Sequence, residues 1–382
     1  MTFAEISKMT TTPVLSRPAH QTQRDVLELL SASVEGLIPM YDAQRQLFCS
    51  RMIRTERGMQ QEGISRRYTL ITLMGLHRLE LAGVKSPIAV EAAMRALLGQ
   101  AEWVNSAGDL GLLLWLCALV SPSAIDPFLA THDLKQALEK YADGRERRTM
   151  ELSWVLSALA HSVVARPELR ERLEPLAIHV YDLIKENRGE HGIFGHQTKA
   201  GGVKAMLRGR LGSFADQVYP TYAFAWASRA FKWDAALQYS KACADAICRA
   251  QGPQGQWWWH YDSKSGQAVG KYPVYSVHQH GMAPMALFAL ADVAKMDYQK
   301  EIYLGLEWIY GQNELRVDMR DASTNVVWRC IRPTKSRRYL NEALSMLKME
   351  PEGIPRNLRV LHECWPYELG WLLYAFAGRH VS

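Results

Sequence analysis

The sequence lacks the cysteine and histidine patterns that are typical of disulfide frameworks and metal sites. None of its six cysteines forms a C-x-x-C pair, and most of them lie in apolar stretches. Such cysteines behave as small hydrophobic residues in a reducing compartment. The twelve histidines include no H-x-x-x-H or H-E-x-x-H spacing. We therefore expect neither a metal ion nor another cofactor.

Long apolar runs are also missing. The longest, Leu110–Val120, is too short to cross a bilayer as a helix. The N-terminus has no apolar segment typical of a signal peptide. We expect a cytoplasmic protein without a membrane span. Residues 1–21 are polar and contain several Thr, Pro and Ser residues, which predicts a flexible arm.

Dense positive charge is absent as well. The net charge of +6 is spread along the chain, and the basic runs Arg145–Arg148, Lys204–Arg210 and Lys335–Arg338 are short. None is interleaved with enough aromatic residues to favour nucleic-acid binding, so we interpret them as solvated surface. The positive net charge is still compatible with a negatively charged substrate.

What the chain does contain is helical periodicity, of two alternating kinds. One kind is amphipathic with charged flanks, and its predicted members are Arg24–Phe48, Pro87–Gln100, Pro127–Tyr141, Pro167–Asn187, Asp234–Ala250 and Tyr298–Asn313. The other kind is apolar on nearly all sides, and its predicted members are Tyr68–Leu81, Leu110–Leu119, Leu152–Val164, Tyr219–Ala230, Met285–Val293 and Leu369–Ala377.

This alternation predicts an all-α fold. A helix that is apolar on all sides is buried, and an amphipathic helix covers it. The order is outer helix, then inner helix, in all six pairs, with almost no alternating strand pattern between them. Repeated helix hairpins of this kind predict a closed ring, an (α/α)6 toroid of six inner and six outer helices. We expect residues 22–382 to form this toroid as one domain.

The stretch Gln251–Pro284 is unusually rich in aromatic residues and histidine. Within it, Gln251, Gly255 and Trp257 fit Q-x-x-x-G-x-W, and an amide, a glycine and an aromatic residue recur in the same order at Asn187, Gly192 and Phe194. An amide can bond exposed backbone at a helix end, glycine turns the chain, and the aromatic ring packs beneath. We interpret the pattern as a structural clasp.

The clasp resembles the QW repeat of the terpenoid cyclase and protein prenyltransferase superfamily, whose members are barrels of paired helices. Similar clasps occur in helical-barrel enzymes that act on sugars. The resemblance implies the same helical barrel. It does not extend to that superfamily's chemistry, because the chain has no D-x-D-D, no D-D-x-x-D and no D-x-C followed by a distant histidine.

In such a barrel the N-terminal ends of the inner helices converge on one opening. Five of the six ends carry a carboxylate or a histidine, and acids there also favour the helix dipole as plain caps. Together with aromatic residues they predict a polar cleft with an apolar floor. We expect the catalytic residues among Asp109, Glu151, Asp216, Tyr219, His278 and Glu363.

Aromatic side chains in this set could stack on a sugar face or a carbocation, and arginines could hold a carboxylate or phosphate. If the helix has already begun at this segment, His278 and His280 lie about 200° apart around it, so only one of them should face the cleft. The predicted substrate-binding residues are Arg67, Trp154, Gln217, Tyr222, Trp258, Trp259, His260, Tyr275, Gln279, His280, Arg329, Trp365, Tyr367 and Glu368.

Three functions remain open. The first is an enzyme that hydrolyses, eliminates or epimerises sugar units of a bacterial polysaccharide, with an oligo- or polysaccharide as its partner. The second is a terpenoid cyclase-like enzyme without the usual acids. The third is a non-catalytic toroid that binds glycans. The pattern does not separate the three reactions on sugars, and it leaves the oligomeric state open.

Overall fold

A computed structural model describes residues 19–100, 103, 104, 106–142, 148–197, 209–334, 355 and 357–379. The side chains of residues 19–24 and 140–142 are not part of this description. Most of the predicted arm, 1–21, lies outside the described residues, as do Lys335–Arg338. The first helix already includes residues 19–21.

Helices of two kinds alternate along the chain, as predicted. The outer positions are taken by α1 (Ala19–Leu37), α3 (Val90–Gly99), α5 with α6 (Ile125–Thr131 and Leu134–Ala142), α8 (Arg170–Lys185), α10 (Asp234–Arg249) and α12 (Gln299–Ile309). The inner positions are taken by α2 (Arg66–Leu81), α4 (Ala107–Val120), α7 (Thr149–Ala165), α9 (Ala215–Phe231), α11 (Ala283–Ala294) and α13 (Pro366–Phe376). The fold is an (α/α)6 toroid, which confirms the predicted fold class.

The inner ring closes through glycine contacts between neighbouring helices. A Cβ added to Gly75 of α2 would overlap the carbonyl oxygen of Gly370 of α13, so the first and last inner helices touch backbone to backbone. Between α4 and α7, a Cβ at Gly111 would lie 2.8 Å from the backbone nitrogen of Val155. Glycine permits this approach because it has no side chain.

The prediction of almost no strands was wrong. The described residues contain twelve short strands, of which β2 (Leu47–Thr55) and β3 (Gly58–Ile64) form an antiparallel hairpin. The predicted helix Arg24–Phe48 therefore ends at Leu37. The remaining strands are β1 (Tyr41–Asp42), β4 (Leu211–Ser213), β5 (His260–Asp262), β6 (Gln267–Val269), β7 (Val274–Tyr275), β8 (Arg320–Asp321), β9 (Val326–Val327), β10 (Cys330–Pro333), β11 (Leu358–Leu361) and β12 (Glu363–Cys364).

These strands lie in the connections between helices and pair into four small sheets. Their orders are β1-β2-β12 with β3 on β2, β11-β10-β7, β4-β5-β6 and β8-β9. All of the pairs are antiparallel, and Cys330 pairs with Tyr275. Most strands have only two to four residues, too few for alternation to be distinguished from a loop.

No helix among the described residues has both the length and the apolar character needed to cross a membrane. Within the same residues, no group of three or more His, Cys, Asp or Glu side chains is arranged to hold a metal ion.

The clasp predicted at Gln251 is confirmed. Its Nε2 donates to the carbonyl oxygens of Gly255 (3.1 Å) and Glu301 (2.9 Å), which ties the end of α10 to α12. Gly255 has φ +88°, and Trp257 is fully buried against Phe214 with ring centroids 5.7 Å apart. The motif therefore joins the outer ring to the inner ring.

The clasp gives a stability test at Gly255. A Cβ there would overlap the carbonyl oxygen of Leu304, in addition to the strain of the positive φ. We expect Gly255→Ala to lower the free energy of unfolding by roughly 2–5 kcal/mol. Gly58→Ala is the matched control, because Gly58 has φ +97° with open space around its Cβ position, and it should cost only about 1–2 kcal/mol. Equal losses in denaturant titrations of the two variants would contradict a packing role for the clasp.

Candidate active site

The N-terminal ends of the inner helices lie at one end of the ring, which we call the mouth. Ser65 caps α2 by accepting a hydrogen bond from the backbone nitrogen of Tyr68 (3.2 Å). Ser106 caps α4 in the same way, accepting from the backbone nitrogen of Asp109 (3.1 Å). These caps fix the first turns from which the side chains at the mouth project.

Arg67 and Asp109 form an ion pair across the mouth. Both Nε and Nη2 of Arg67 lie 2.8 Å from Oδ1 of Asp109, and Ser106 Oγ donates to Oδ2 at 3.1 Å. The Asp109 side chain is 8% exposed, whereas that of Arg67 is 35% exposed. One face of the guanidinium lies over the ring of Trp154 at 5.4 Å. The exposed part of Arg67 therefore remains accessible to an anionic ligand.

Glu151 lies directly against the turn that carries Asp109. A Cβ added to Gly108 would meet Glu151 Cγ at 2.7 Å. The Glu151 carboxylate is buried, and Arg148 Nη1 lies 3.4 Å from its Oε1. Burial opposes the charge of Arg67, but hydrogen bonding to Asp109 and the charges of Asp109 and Glu151 outweigh it and raise the pKa of Arg67. Asp109 is thus paired directly with Arg67, while Glu151, on the adjacent inner helix, is paired with Arg148 and lies close enough for its charge to act on Arg67.

Aromatic residues form the floor below this group. Trp371 Nε1 donates to Tyr219 Oη at 3.0 Å, and the rings of Trp154 and Tyr219 meet edge to face at 5.4 Å. Tyr219 is 3% exposed, and burial raises its pKa, so the phenol keeps its proton. Tyr219, predicted as catalytic, is thus a neutral hydroxyl.

A second arginine, Arg329, lies on the other side of the mouth. It forms an ion pair with Glu368, and its guanidinium stacks 3.4 Å from the ring centre of Trp365 and 5.1 Å from that of Tyr275. Burial raises the pKa of Glu368 to about 7, although Arg329 opposes this shift. Glu368 also accepts from the backbone nitrogen of Trp365 at 3.2 Å.

Tyr68 follows Arg67 in α2 but packs on the Arg329 side of the mouth. Its ring lies 5.3 Å from Trp365 and 4.7 Å from Tyr367, both on the Arg329 side. Glu363, predicted as catalytic, lies at the edge of the Trp365 ring on this side. It accepts from Trp365 Nε1 at 3.1 Å and from Arg51 Nη1 at 3.2 Å.

His278 lies shortly after β7 and begins a π-helical turn, His278–Met282, that leads into α11. Its ring stacks on Trp259 at 5.8 Å and 9°, and Phe214 and Tyr275 lie 4.5 and 5.3 Å away. His260 packs beside Trp259 at 5.1 Å. Burial lowers the pKa of His278 to about 3, so its imidazole is neutral.

Four of the predicted site residues are fully buried in the protein interior. Asp216 is fully buried and accepts from Ser213 N and Oγ (both 2.8 Å), Met150 N (3.2 Å) and His196 Nδ1 (3.0 Å). The remaining three are Gln217, bonded to the backbone of Phe194, Gln279, bonded to the backbone of Trp257 and Tyr275, and His280, which is fully buried in the core.

Tyr222 and Trp258 lie outside the mouth, which corrects their predicted place. Tyr222 Oη lies 2.8 Å from His161 Nε2, halfway down α9 toward the opposite end of the ring. Trp258 turns outward, donates to the carbonyl oxygen of Ala250 at 2.8 Å and lies beneath Lys271. Consecutive residues of an extended segment face opposite sides, so Trp259 faces the mouth when Trp258 does not.

The sequence reasoning missed Arg148, Arg51 and Trp371. Arg148 directly precedes an inner helix and Arg67 lies in the first turn of another, so the position at a helix start could have indicated Arg148. Trp371 lies one turn after Tyr367, on the same face of α13. Arg51 comes from the β2–β3 hairpin, which the sequence did not predict.

Comparison with known proteins identifies similar folds. No protein-family model and no curated protein matches the chain. Similar solved structures include a possible member of the GH105 family from Salmonella enterica (11% identity, TM-score 0.58, covering 96% of this chain and 97% of that one). Another is an unsaturated glucuronyl hydrolase from Bacillus sp. GL1 (13%, 0.57, 94% and 96%), and a third is a glycosyl hydrolase family 88 protein from Bacteroides vulgatus (11%, 0.54, 92% and 97%). At these identities the likeness shows the fold.

Asp216 accepts four hydrogen bonds, so we expect its substitution to lower the stability of the fold. Asp216→Asn would turn an acceptor-only carboxylate into an amide that cannot satisfy all four donors, at a cost of roughly 2–4 kcal/mol. The control Asp318→Asn changes a carboxylate that is 46% exposed, and it should cost less than about 1 kcal/mol. Urea unfolding of both variants measures the difference. A fully stable Asp216→Asn variant without activity would instead favour a catalytic Asp216.

The buried His280 predicts sensitivity to acid. Neither ring nitrogen has a hydrogen-bond partner among the described residues, and burial lowers the pKa of His280 to about 3. In the unfolded chain the imidazole of His280 binds a proton below about pH 6.5, whereas in the folded protein it does so only near its lowered pKa. The free energy of unfolding therefore decreases as the pH falls between these two pKa values, by about 2 kcal/mol at about pH 5. His280→Leu should remove this part of the loss in unfolding titrations at several pH values. The exposed His179→Leu should leave the pH profile unchanged.

Proposed function

We propose that the protein is a glycan-active hydrolase that cleaves a glycosidic bond next to an acidic sugar. The observation that carries the proposal is the pairing of Asp109 and Glu151. Their side chains project from adjacent inner helices and meet at the turn that carries Gly108 and Asp109, each beside an arginine, Arg67 for Asp109 and Arg148 for Glu151, above an aromatic floor. Glycoside hydrolysis requires one carboxylic acid and one carboxylate on either side of the scissile bond.

The ion pairs suggest separate roles for the two acids. Asp109 receives two nitrogens of Arg67 and the hydroxyl of Ser106, so it serves as the carboxylate that activates water or stabilises the positive charge on the sugar. Glu151 has a longer contact with Arg148, at 3.4 Å, and serves as the proton donor to the leaving oxygen. These roles are part of the proposal.

The arginines and aromatic rings support an acidic glycan as substrate. Arg67 is partly exposed and Arg329 stacks between Trp365 and Tyr275, so both present guanidinium groups near ring faces. Guanidinium groups bind carboxylates in a bidentate manner, and aromatic faces stack on sugar rings. Several proteins of similar fold are named as unsaturated glucuronyl hydrolases, which agrees with a uronic acid next to the cleaved bond.

The other two functions are less well supported. A terpenoid cyclase would need a closed, mostly apolar cavity with one acid at its top, whereas this mouth holds Asp109, Glu151, Glu363 and Glu368 with arginine partners. The clasp that carries that resemblance is structural here. A binding module would need no buried pair of carboxylates. Elimination and epimerisation remain outcomes of the tests below.

Removal of either acid tests the proposal. Asp109→Asn and Glu151→Gln should each lower kcat on oligosaccharides with a terminal uronate or unsaturated uronate by roughly 10²–10⁴-fold, with the fold retained. The control is Glu91→Gln, an exposed acid in the first turn of an outer helix. New reducing ends measure hydrolysis. Unsaturated-uronate absorbance that rises during the reaction, or solvent deuterium incorporation without cleavage, would replace hydrolysis by elimination or epimerisation.

Arg67 and Arg329 should set the preference for charged sugars. Arg67→Gln is expected to raise KM for uronate substrates by roughly tenfold or more while it changes KM for the neutral analogues little. Arg95→Gln, on an exposed outer-helix surface, is the matched control. Equal effects on charged and neutral substrates would contradict recognition of a carboxylate by Arg67.

A further inference from the structure

A cavity lies at the other end of the toroid, away from the mouth. It has a volume of about 270 Å³ and is lined by residues of all six inner helices, most of them from the C-terminal halves. The acids of the mouth lie in the first turns of these helices, at the opposite end of the ring. The aromatic core of the ring therefore separates the cavity from the mouth. We call this cavity the basal cavity.

The walls of the basal cavity are aromatic. The ring of Trp226 lies 3.9 Å from that of His161, which also stacks on Trp115 at 5.5 Å. His161 Nε2 and Tyr222 Oη are 2.8 Å apart, and Tyr222 Oη is hydrogen-bonded to Tyr374 Oη. The cavity therefore offers flat ring faces and a chain of neutral polar groups.

Three arginines place positive charge at the basal cavity. Arg78 lies over the ring of Tyr374 at 5.7 Å and Arg229 over that of Trp226 at 4.9 Å. Among the residues that the structure describes, neither guanidinium forms an ion pair, and the buried Nε of Arg78 has no hydrogen-bond partner. The third arginine, Arg379, is already paired with Asp292 at 2.8 Å. Among the described residues, the half-buried Arg78 and the exposed Arg229 therefore have no acidic partner.

A purely structural role explains only part of this arrangement. Arg78 and Arg229 lie in the last turns of α2 and α9, where cations favour the helix dipole. That role does not require a cavity between them or an unsatisfied buried Nε, which costs free energy when it has no partner. Their charges also add to burial in lowering the pKa of His161 to about 3, so both guanidinium groups act on the interior of the cavity.

We propose that the basal cavity is a second binding site, for a small ring compound that carries a phosphate or carboxylate group. Arg78 and Arg229 bind the anion, and Trp226 stacks on the ring. Guanidinium groups and aromatic faces together recognise such ligands, and an anion would satisfy the free donors. The inference is independent of the reaction at the mouth.

Calorimetric titration of the full chain with phenyl phosphate tests the proposal. We expect saturable binding that is tighter than that of inorganic phosphate and of uncharged phenyl glucoside. Benzoate and glucose 6-phosphate, titrated in parallel, distinguish a carboxylate from a phosphate and an aryl ring from a sugar. Absence of saturable phenyl phosphate binding would overturn the proposal.

Variants locate the binding. Arg78→Gln and Arg229→Gln should each weaken phenyl phosphate binding by roughly ten- to a hundredfold. Trp226→Leu should weaken phenyl phosphate more than inorganic phosphate. Arg95→Gln on the outer surface should leave phenyl phosphate binding unchanged, and Arg67→Gln should affect only anions that bind at the mouth. Unfolding curves verify that each variant is folded. Binding that survives in folded Arg78→Gln and Arg229→Gln, or that is lost in Arg67→Gln, would contradict the assignment.

Discussion

Direct backbone contact between inner helices is the constraint on which the rest of this structure depends. The ring closes only because Gly75 and Gly370 let α2 and α13 touch, and the same holds for Gly111 against α7. Protein interiors are closely packed, so a larger side chain at such a contact would push helices apart rather than be absorbed. Closure brings the first turns of all six inner helices together, and the mouth is a consequence of that approach.

Closure also fixes what can lie at each end of the ring. N-terminal ends carry partial positive charge, so Asp109, Glu151, Asp216 and Glu368 lie where carboxylates are stabilised. C-terminal ends carry partial negative charge, which suits Arg78 and Arg229. One fold therefore produces an acidic, arginine-bridged mouth and a cationic basal cavity from the same six helices.

The sequence predicted the parts of this structure that long periodicity encodes. The predicted inner helices are apolar on nearly all sides over nine or more residues, so the toroid and the order of its helices could be derived, and the clasp at Gln251 had a recognisable spacing. Strands of two to four residues carry too little pattern, which is why Arg51 was missed. Side-chain direction was also beyond the sequence: nothing in W-W-W indicated that Trp258 turns outward while Trp259 turns inward.

The sequence left open which acids are helix caps and which are catalytic, and the number of hydrogen-bond donors around each acid is the basis of the proposed assignment. Asp216 has all of its acceptor capacity used by Ser213, Met150 and His196, so it has little left for a substrate. Asp109 is held by an arginine that is itself partly exposed, and a ligand that binds Arg67 would lie next to that carboxylate. Under the proposed function a capping acid can also be catalytic, because the helix dipole stabilises its charge whether or not a ligand is bound. The position of the partner, rather than of the acid, therefore separates Asp109 from Asp216.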